Sequence, residues 1–194
     1  MTTITQRVIP IFHDYLMLKK LRRTGWQMRG IRDCESLADH CYGVNFLTLV
    51  LAELCDIPGL NPEKALKMAV IHEIAESRVG DIPFPALEFL SGKSAAEQAA
   101  ARAILQPLGE KAAQSLEALF IEFEENRTTE ARFVKAVDKL EMLITAFDYE
   151  RTGIRSLQDF WDNTTTFQAF EAFPDLMGIA RHLAAERLTF GAGR

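Results

Sequence analysis

Apolar residues recur along this chain at the helical spacing i, i+3, i+4 and i+7, and no run alternates apolar and polar positions between turn signals as a half-buried strand does. The fold class this predicts is all-α, a compact helical bundle. A first helix is expected from about Ile4 to Leu21, with Val8, Ile11, Phe12, Tyr15, Leu16 and Leu18 forming an apolar stripe and Pro10 close to its start. The segment LRRTGWQMRGI breaks the pattern at Gly25 and Gly30 and reads as a loop. Ser36 with Asp39 three residues on has the form of a capping box, opening a second helix that Leu37, Cys41, Val44, Leu47 and Leu51 carry to about Cys55. A third is expected from Asn61, a capping residue followed by Pro62, to near Ser77, mostly buried through Leu66, Ala69, Val70, Ile74 and Ala75. Helices follow over Ala95 to Leu105 and Gly109 to Phe123, separated at Pro107. A long one runs from Thr129 to Tyr149 with Phe133, Val137, Leu140, Ile144 and Phe147 on its core face. A short element over Ser156 to Trp161 and a last amphipathic helix after Pro174 complete the expectation, with the GAGR tail frayed.

A chain of 194 residues with 48% hydrophobic content supports one sizeable core, so a single domain over residues 1–194 is expected. The net charge of -5 argues against an extended nucleic-acid footprint, which needs a basic face, but leaves room for a small anion held by a metal or a few arginines. The opening MTTITQRVIPIF has no basic segment followed by an apolar run, and no stretch is apolar enough to span a membrane, which predicts a cytoplasmic protein. Cys34, Cys41 and Cys55 are odd in number and contain no CxxC pair, so they are expected to be free thiols.

The candidate chemistry lies in AVIHEIAESRVGDIP, where His72, Glu73 and Glu76 fall within five residues of a greasy helix. A buried carboxylate is costly unless it is neutralised or paired, so the three ionisable groups need a shared partner, and a metal ion is one. On a continuous helix His72 and Glu76 share a face, and Glu73 lies about 100° round. His40 falls on the apolar stripe of the second helix, and Asp138 directly follows Val137 in the long one. His40, His72, Glu73 and Asp138 then make a mixed imidazole and carboxylate set suited to one divalent transition metal ion. Taken singly, each has a plainer reading: the histidines as hydrogen-bonded core residues, Asp138 as a boundary acid, Glu76 as a paired acid near a helix end. Asp81 reads equally as a solvated turn residue and Trp26 as a plug against the second helix. Arg22, Arg23, Arg29, Arg32 and Arg78 are by default solvated. The HExxH pattern of zinc proteases is absent.

With those residues laid out, LRRTGWQMRGIRDCESLADHCYGV, LKMAVIHEIAESRVGDIP, EARFVKAVDKLEM and SLQDFWDNT, in this order, resemble the HD-domain phosphohydrolases and among them the 5'-deoxynucleotidases. The resemblance covers almost the whole chain. It implies metal binding by His40, by the pair His72 and Glu73, and by Asp138. It further implies proton transfer by Glu76, sugar contacts from Asp81 and Trp26, and a homodimer. Position 73 departs from the family, whose pair ends in Asp; Glu adds a methylene and moves the carboxylate roughly an ångström outward, where metal distances near 2 Å tolerate little error. The arginine that some members place before the tryptophan is Gly25 here, which leaves Arg23 as the neighbouring cation. The implied activity is metal-dependent hydrolysis of a small-molecule nucleotide, a 5'-deoxynucleoside monophosphate, with Glu76 and Asp81 in the catalytic site. Two other readings stay open: an HD hydrolase of a triphosphate or signalling nucleotide, and a helical interaction module with a degenerate metal site.

Overall fold

The computed structural model describes residues 3–190, and the GAGR tail predicted to fray lies outside them. Among the described residues the protein is all helix and loop, with one isolated bridge between Arg22 and Ser36 and no strand. The helices are α1 (Ile4–Leu18), α2 (Thr24–Gln27), α3 (Leu37–Leu54), α4 (Pro62–Ile71), α5 (Glu76–Val79), α6 (Lys93–Leu105), α7 (Glu110–Glu125), α8 (Thr129–Arg151), α9 (Gln158–Trp161), α10 (Thr164–Gln168) and α11 (Pro174–Glu186). Short 3₁₀ turns occupy Phe84–Phe89, Gln106–Leu108 and Arg187–Thr189.

The centre is α8, flanked by α3, α4, α7 and α11, with α3 also packed along α4. Ala131, Phe133, Val134, Val137, Leu140 and Leu143 of α8 are fully buried, which explains why one helix displays apolar residues around most of its circumference. Local chemistry fixes the starts of the helices that carry the site. Ser36 Oγ accepts the Asp39 amide at 3.2 Å while Asp39 Oδ2 accepts the Ser36 amide at 2.9 Å, a closed capping box at the head of α3. Asn61 Oδ1 accepts the Lys64 amide at 3.0 Å and Pro62 takes the first position of α4.

Four sequence expectations are corrected. The segment LRRTGWQMRGI is not loop throughout, because Thr24–Gln27 wind into α2 with Trp26 buried. The third helix does not run unbroken to Ser77: α4 stops at Ile71, residues 72–75 are held by i→i+3 bonds such as Ile74 N to Ile71 O at 3.1 Å, and α5 is a separate turn. Val70, placed inside that helix's buried circumference, is 58% exposed. The first helix ends at Leu18 because Leu21 turns to accept the Leu37 amide, and its stripe is not a core face; Phe12, Tyr15 and Leu16 are exposed and only Leu18 is buried. Helix α10, opened by Asn163 Oδ1 on the amides of Thr165 and Thr166, was not anticipated. The three cysteines are free, as expected.

Candidate metal centre and cavity

Three helices and one unwound segment bring the ionisable residues together. His40 comes from the second turn of α3, His72 and Glu73 from the unwound segment after α4, Asp138 from the middle of α8 and Glu76 from the head of α5. His40 and His72 are buried, and each has one ring nitrogen committed. His72 Nδ1 donates to the Ala69 carbonyl at 2.7 Å, and His40 Nδ1 donates to Glu141 Oε2 at 2.6 Å. A carbonyl can only accept, so the free lone pair of His72 is on Nε2; a carboxylate fixes His40 the same way.

The two Nε2 atoms are buried without hydrogen-bond partners. Around them, His40 Nε2 lies 3.2 Å from Asp138 Oδ1, out of line for a hydrogen bond, and 3.9 Å from Glu73 Oε1, while His72 Nε2 is 3.8 Å from the same Glu73 oxygen. One donor atom from each of His40, His72, Glu73 and Asp138 lies within 4.8 Å of all the others. Ligands about 2.0–2.2 Å from a shared ion lie roughly 3–4.4 Å from one another, so the three short separations already match a coordination shell. Unpaired buried nitrogens beside carboxylates fit a divalent cation better than they fit a hydrogen-bonded core. The longer side chain at position 73 has not carried its carboxylate out of the group.

Charge is balanced tightly here. Burial opposes the charge on Asp138, yet Lys139, whose Nζ is 2.9 Å from Oδ2, together with His40 and His72 holds its carboxyl well below the usual range. Burial likewise opposes charge on Glu73, and His72, Arg23 and His40 outweigh it to keep its carboxyl low. For His72 burial wins, lowering its pKa and keeping it neutral. His40 behaves oppositely: burial and Arg23 disfavour its cation, but Asp138 and Glu141 overcome both and push it up to about 9. A proton on His40 Nε2 competes with a metal, which sets a prediction. Metal affinity should rise with pH, by up to about tenfold per unit, until about pH 9 and then flatten. The metal-free protein should change in the opposite sense. A raised folded-state pKa contributes stability below about 6.5 that is lost as pH climbs through about 9. Calorimetric metal titrations and metal-free melting curves at pH 6 to 10 check the two slopes.

The cluster opens into a cavity of about 740 Å³. Glu76 sits in its wall, 5% exposed, with Oε2 unpartnered; burial first and then Glu73 and Asp81 push its carboxyl up to about 10, so it carries a proton at neutral pH. Arg23 stands between Glu73 and Asp81, 3.7 Å from an oxygen of each. Asp81 is reached through Gly80, whose φ of +82° is a backbone that glycine adopts without strain. Its Oδ2 accepts the Thr24 amide at 2.6 Å and its carbonyl accepts the Thr24 hydroxyl at 2.8 Å, which fastens the Arg23 to Trp26 turn over the site. Trp26 lines the cavity but is 2% exposed, stacked on Phe160 at 4.5 Å with its indole N–H donating to Glu35 at 2.8 Å. Of the other arginines, Arg29 also lines the cavity, paired with Asp159 and lying over Phe160 at 4.9 Å, whereas Arg78 makes a two-bond pair with Asp14 at 2.8 Å.

Sequence reasoning missed Lys139, Glu141 and Phe160. The signal for Glu141 was present, since it follows Asp138 by three and so shares its helix face. Lys139 lines the cavity from the position next to Asp138, where adjacency in sequence gave no hint of a shared direction.

An all-helical bundle with such a cluster at the junction of its central helices places the chain in a known class: residues 16–173 match the HD domain, and the protein belongs to the HD-domain family. Its relatives include the 5'-deoxynucleotidase hdd1 of Schizosaccharomyces pombe, 40% identical over 159 residues that cover 79% of this chain and 78% of that one. The human 5'-deoxynucleotidase HDDC2 is 34% identical over 175 residues, 89% of this chain and 82% of the other. Among solved structures, a conserved hypothetical protein from Pyrococcus furiosus shares the fold with a TM-score of 0.78 at 33% identity, covering 91% of this chain and 99% of that one.

Proposed function

We propose that this protein is a metal-dependent phosphomonoesterase that converts a 5'-deoxynucleoside monophosphate to the deoxynucleoside and phosphate, the whole chain acting as one catalytic domain. The observation that carries this reading is the meeting of the His40, His72, Glu73 and Asp138 donor atoms, two of them orphaned nitrogens, beside a buried protonated acid. The relatives curated as 5'-deoxynucleotidases supply the substrate class.

His40, His72, Glu73 and Asp138 would hold one divalent transition metal ion. The ion, when bound, supplies Lewis-acid polarisation of a phosphoryl oxygen and acidifies water, which answers the charge repulsion that makes phosphomonoesters slow to hydrolyse. Arg23 and Lys139 flank the cluster and would offset the charge on the phosphate oxygens. Glu76 delivers its proton to the leaving 5' oxygen as the P–O bond breaks. Asp81 fixes the turn that carries Arg23 and Trp26, and with Trp26 forms the sugar side of the cavity. Acidic side chains outnumber basic ones in the cavity wall, which favours a single phosphate over the triphosphate reading.

No helix among the described residues is long and apolar enough to cross a membrane. Cytoplasmic action and a homodimer complete the proposal; the exposed Phe12, Tyr15 and Leu16 of α1 are the kind of surface a second copy covers.

The test is phosphate release by the metal-depleted and the manganese- or cobalt-supplemented protein from deoxynucleoside monophosphates, ribonucleoside monophosphates and deoxynucleoside triphosphates. Metal-dependent release from the first set, exceeding the other two by at least about tenfold in kcat/KM, is expected. Release from triphosphates alone would move the activity to the neighbouring class, and no metal uptake would leave a non-catalytic module. Glu73→Asp should change metal affinity less than about tenfold, because Glu73 already reaches the cluster.

A further inference from the structure

Two features behind His40 have no role in the reaction as described: the carboxylate of Glu141 and the absent side chain at Gly43. We propose that Gly43 and Glu141 are a positioning pair for His40, the glycine providing the space in which Glu141 holds the imidazole with Nδ1 protonated and Nε2 directed at the cation. The inference rests on the metal-centre reading and deepens it.

Gly43 sits inside α3, three residues after His40 and hence on the same side of the helix. Glycine is, after proline, the poorest residue for a helix interior, so its presence there needs a reason. Backbone freedom does not supply one, because Gly43 is not among the glycines with positive φ. Space does: a Cβ at position 43 would stand 2.6 Å from Glu141 Oε1, 2.9 Å from its Cγ and 3.1 Å from its Cδ.

Glu141 has little freedom to retreat. Its Oε2 accepts His40 Nδ1–H at 2.6 Å and its Oε1 accepts the Thr145 hydroxyl at 3.1 Å, with the side chain 9% exposed. Glu35 crowds the same spot, since donor atoms of Glu35, His40 and Glu141 lie within 4.8 Å of one another. That trio is not a second metal centre. Glu35 is engaged by the Trp26 indole at 2.8 Å and His40 Nδ1 by Glu141, whereas the unpartnered imidazole nitrogens, Nε2 of His40 and of His72, both belong to the first cluster. An added methyl at position 43 would therefore displace the carboxylate that fixes the tautomer and bearing of His40, and a misdirected imidazole weakens metal binding.

The experiment titrates metal-free wild type, Gly43→Ala, Glu141→Gln and Glu141→Leu with cobalt(II), following the visible absorption of the bound ion, alongside far-ultraviolet circular dichroism and melting curves. Gly43→Ala and Glu141→Leu are expected to bind cobalt roughly 10–100-fold more weakly with helicity retained. Glu141→Gln, whose amide oxygen still accepts Nδ1–H, should lose less than about tenfold. If Gly43 were merely a helical residue, alanine would raise the melting temperature and leave cobalt affinity at the wild-type value, which overturns the proposal. Should Gly43→Ala fail to fold, the decision passes to Glu141→Leu, and wild-type affinity there overturns it equally. A wild type that takes up no cobalt removes the metal centre itself and this inference with it, whereas a wild type that binds beside variants that bind as well removes the inference alone.

Discussion

Asp138→Ala protein is expected to come through purification folded but without its divalent ion, and to release no phosphate above background. Asp138 Oδ1 is 3.2 Å from the orphaned His40 Nε2, and its carboxyl is held well below the usual range by burial-opposing contacts with Lys139, His40 and His72. It is thus a committed anion at the position where a cation would sit. Loss of an outer partner of a metal ligand costs roughly 10–100-fold in affinity, and loss of a direct ligand should exceed that. Asp138→Asn is the volume-conserving companion. It removes the charge while keeping the side-chain volume at this buried position, so any loss of metal shared by both variants is not a packing defect. Metal analysis of the purified variants against wild type, with melting curves, reads the result. Stoichiometric metal in Asp138→Ala would remove Asp138 from the coordination shell.

Glu76→Gln is the second large effect, and it should divide differently. The side chain is 5% exposed and unpartnered at Oε2, and burial with Glu73 and Asp81 nearby raises its pKa to about 10 in the metal-free protein. Glutamine keeps the shape but has no acidic proton to give. The expected result is a fall in kcat of roughly 10²–10⁴ with metal content and KM close to wild type. The pH profile supplies the sign. Only the protonated acid protonates a leaving oxygen, so wild-type kcat should fall as pH rises through the Glu76 pKa, which a bound cation draws below its metal-free position. That alkaline limb should vanish in the variant. An aryl phosphate, whose leaving group departs without protonation, should narrow the gap between the two proteins; an equal deficit on alkyl and aryl esters would assign Glu76 another task.

How much of the fold is legible in the sequence follows from how local each determinant is. The heads of α3 and α4 were legible because Ser36 with Asp39, and Asn61 with Pro62, act within a single helical turn. The core face of α8 was legible because burial repeats at the helical period. The break after Ile71 was not. Alanine, isoleucine and glutamate continue helix-compatible through positions 72–76, and the unwound segment carries His72 and Glu73 to a cluster completed by α3 and α8, a long-range arrangement that local propensity does not record. The stripe of α1 misled for a related reason. A pattern records that a face is apolar, not what covers it, and here Phe12, Tyr15 and Leu16 remain open to solvent. At the centre, His40, His72, Glu73 and Asp138 were legible singly as inward-facing residues, and the position of Glu141 was legible from its spacing of three from Asp138, whereas its pairing with His40 Nδ1 is a contact between distant helices that spacing does not specify.

The pairing of Arg78 with Asp14 has a practical corollary. Glu76, the proposed proton donor, rides on α5, a single turn too short to hold itself, and α5 leans on α1, where that ion pair clamps it. The first helix is thus a splint for Glu76, and a fusion partner or affinity tag that pries it loose should slacken the proposed proton transfer far from the tag while leaving the His40, His72, Glu73 and Asp138 cradle untouched.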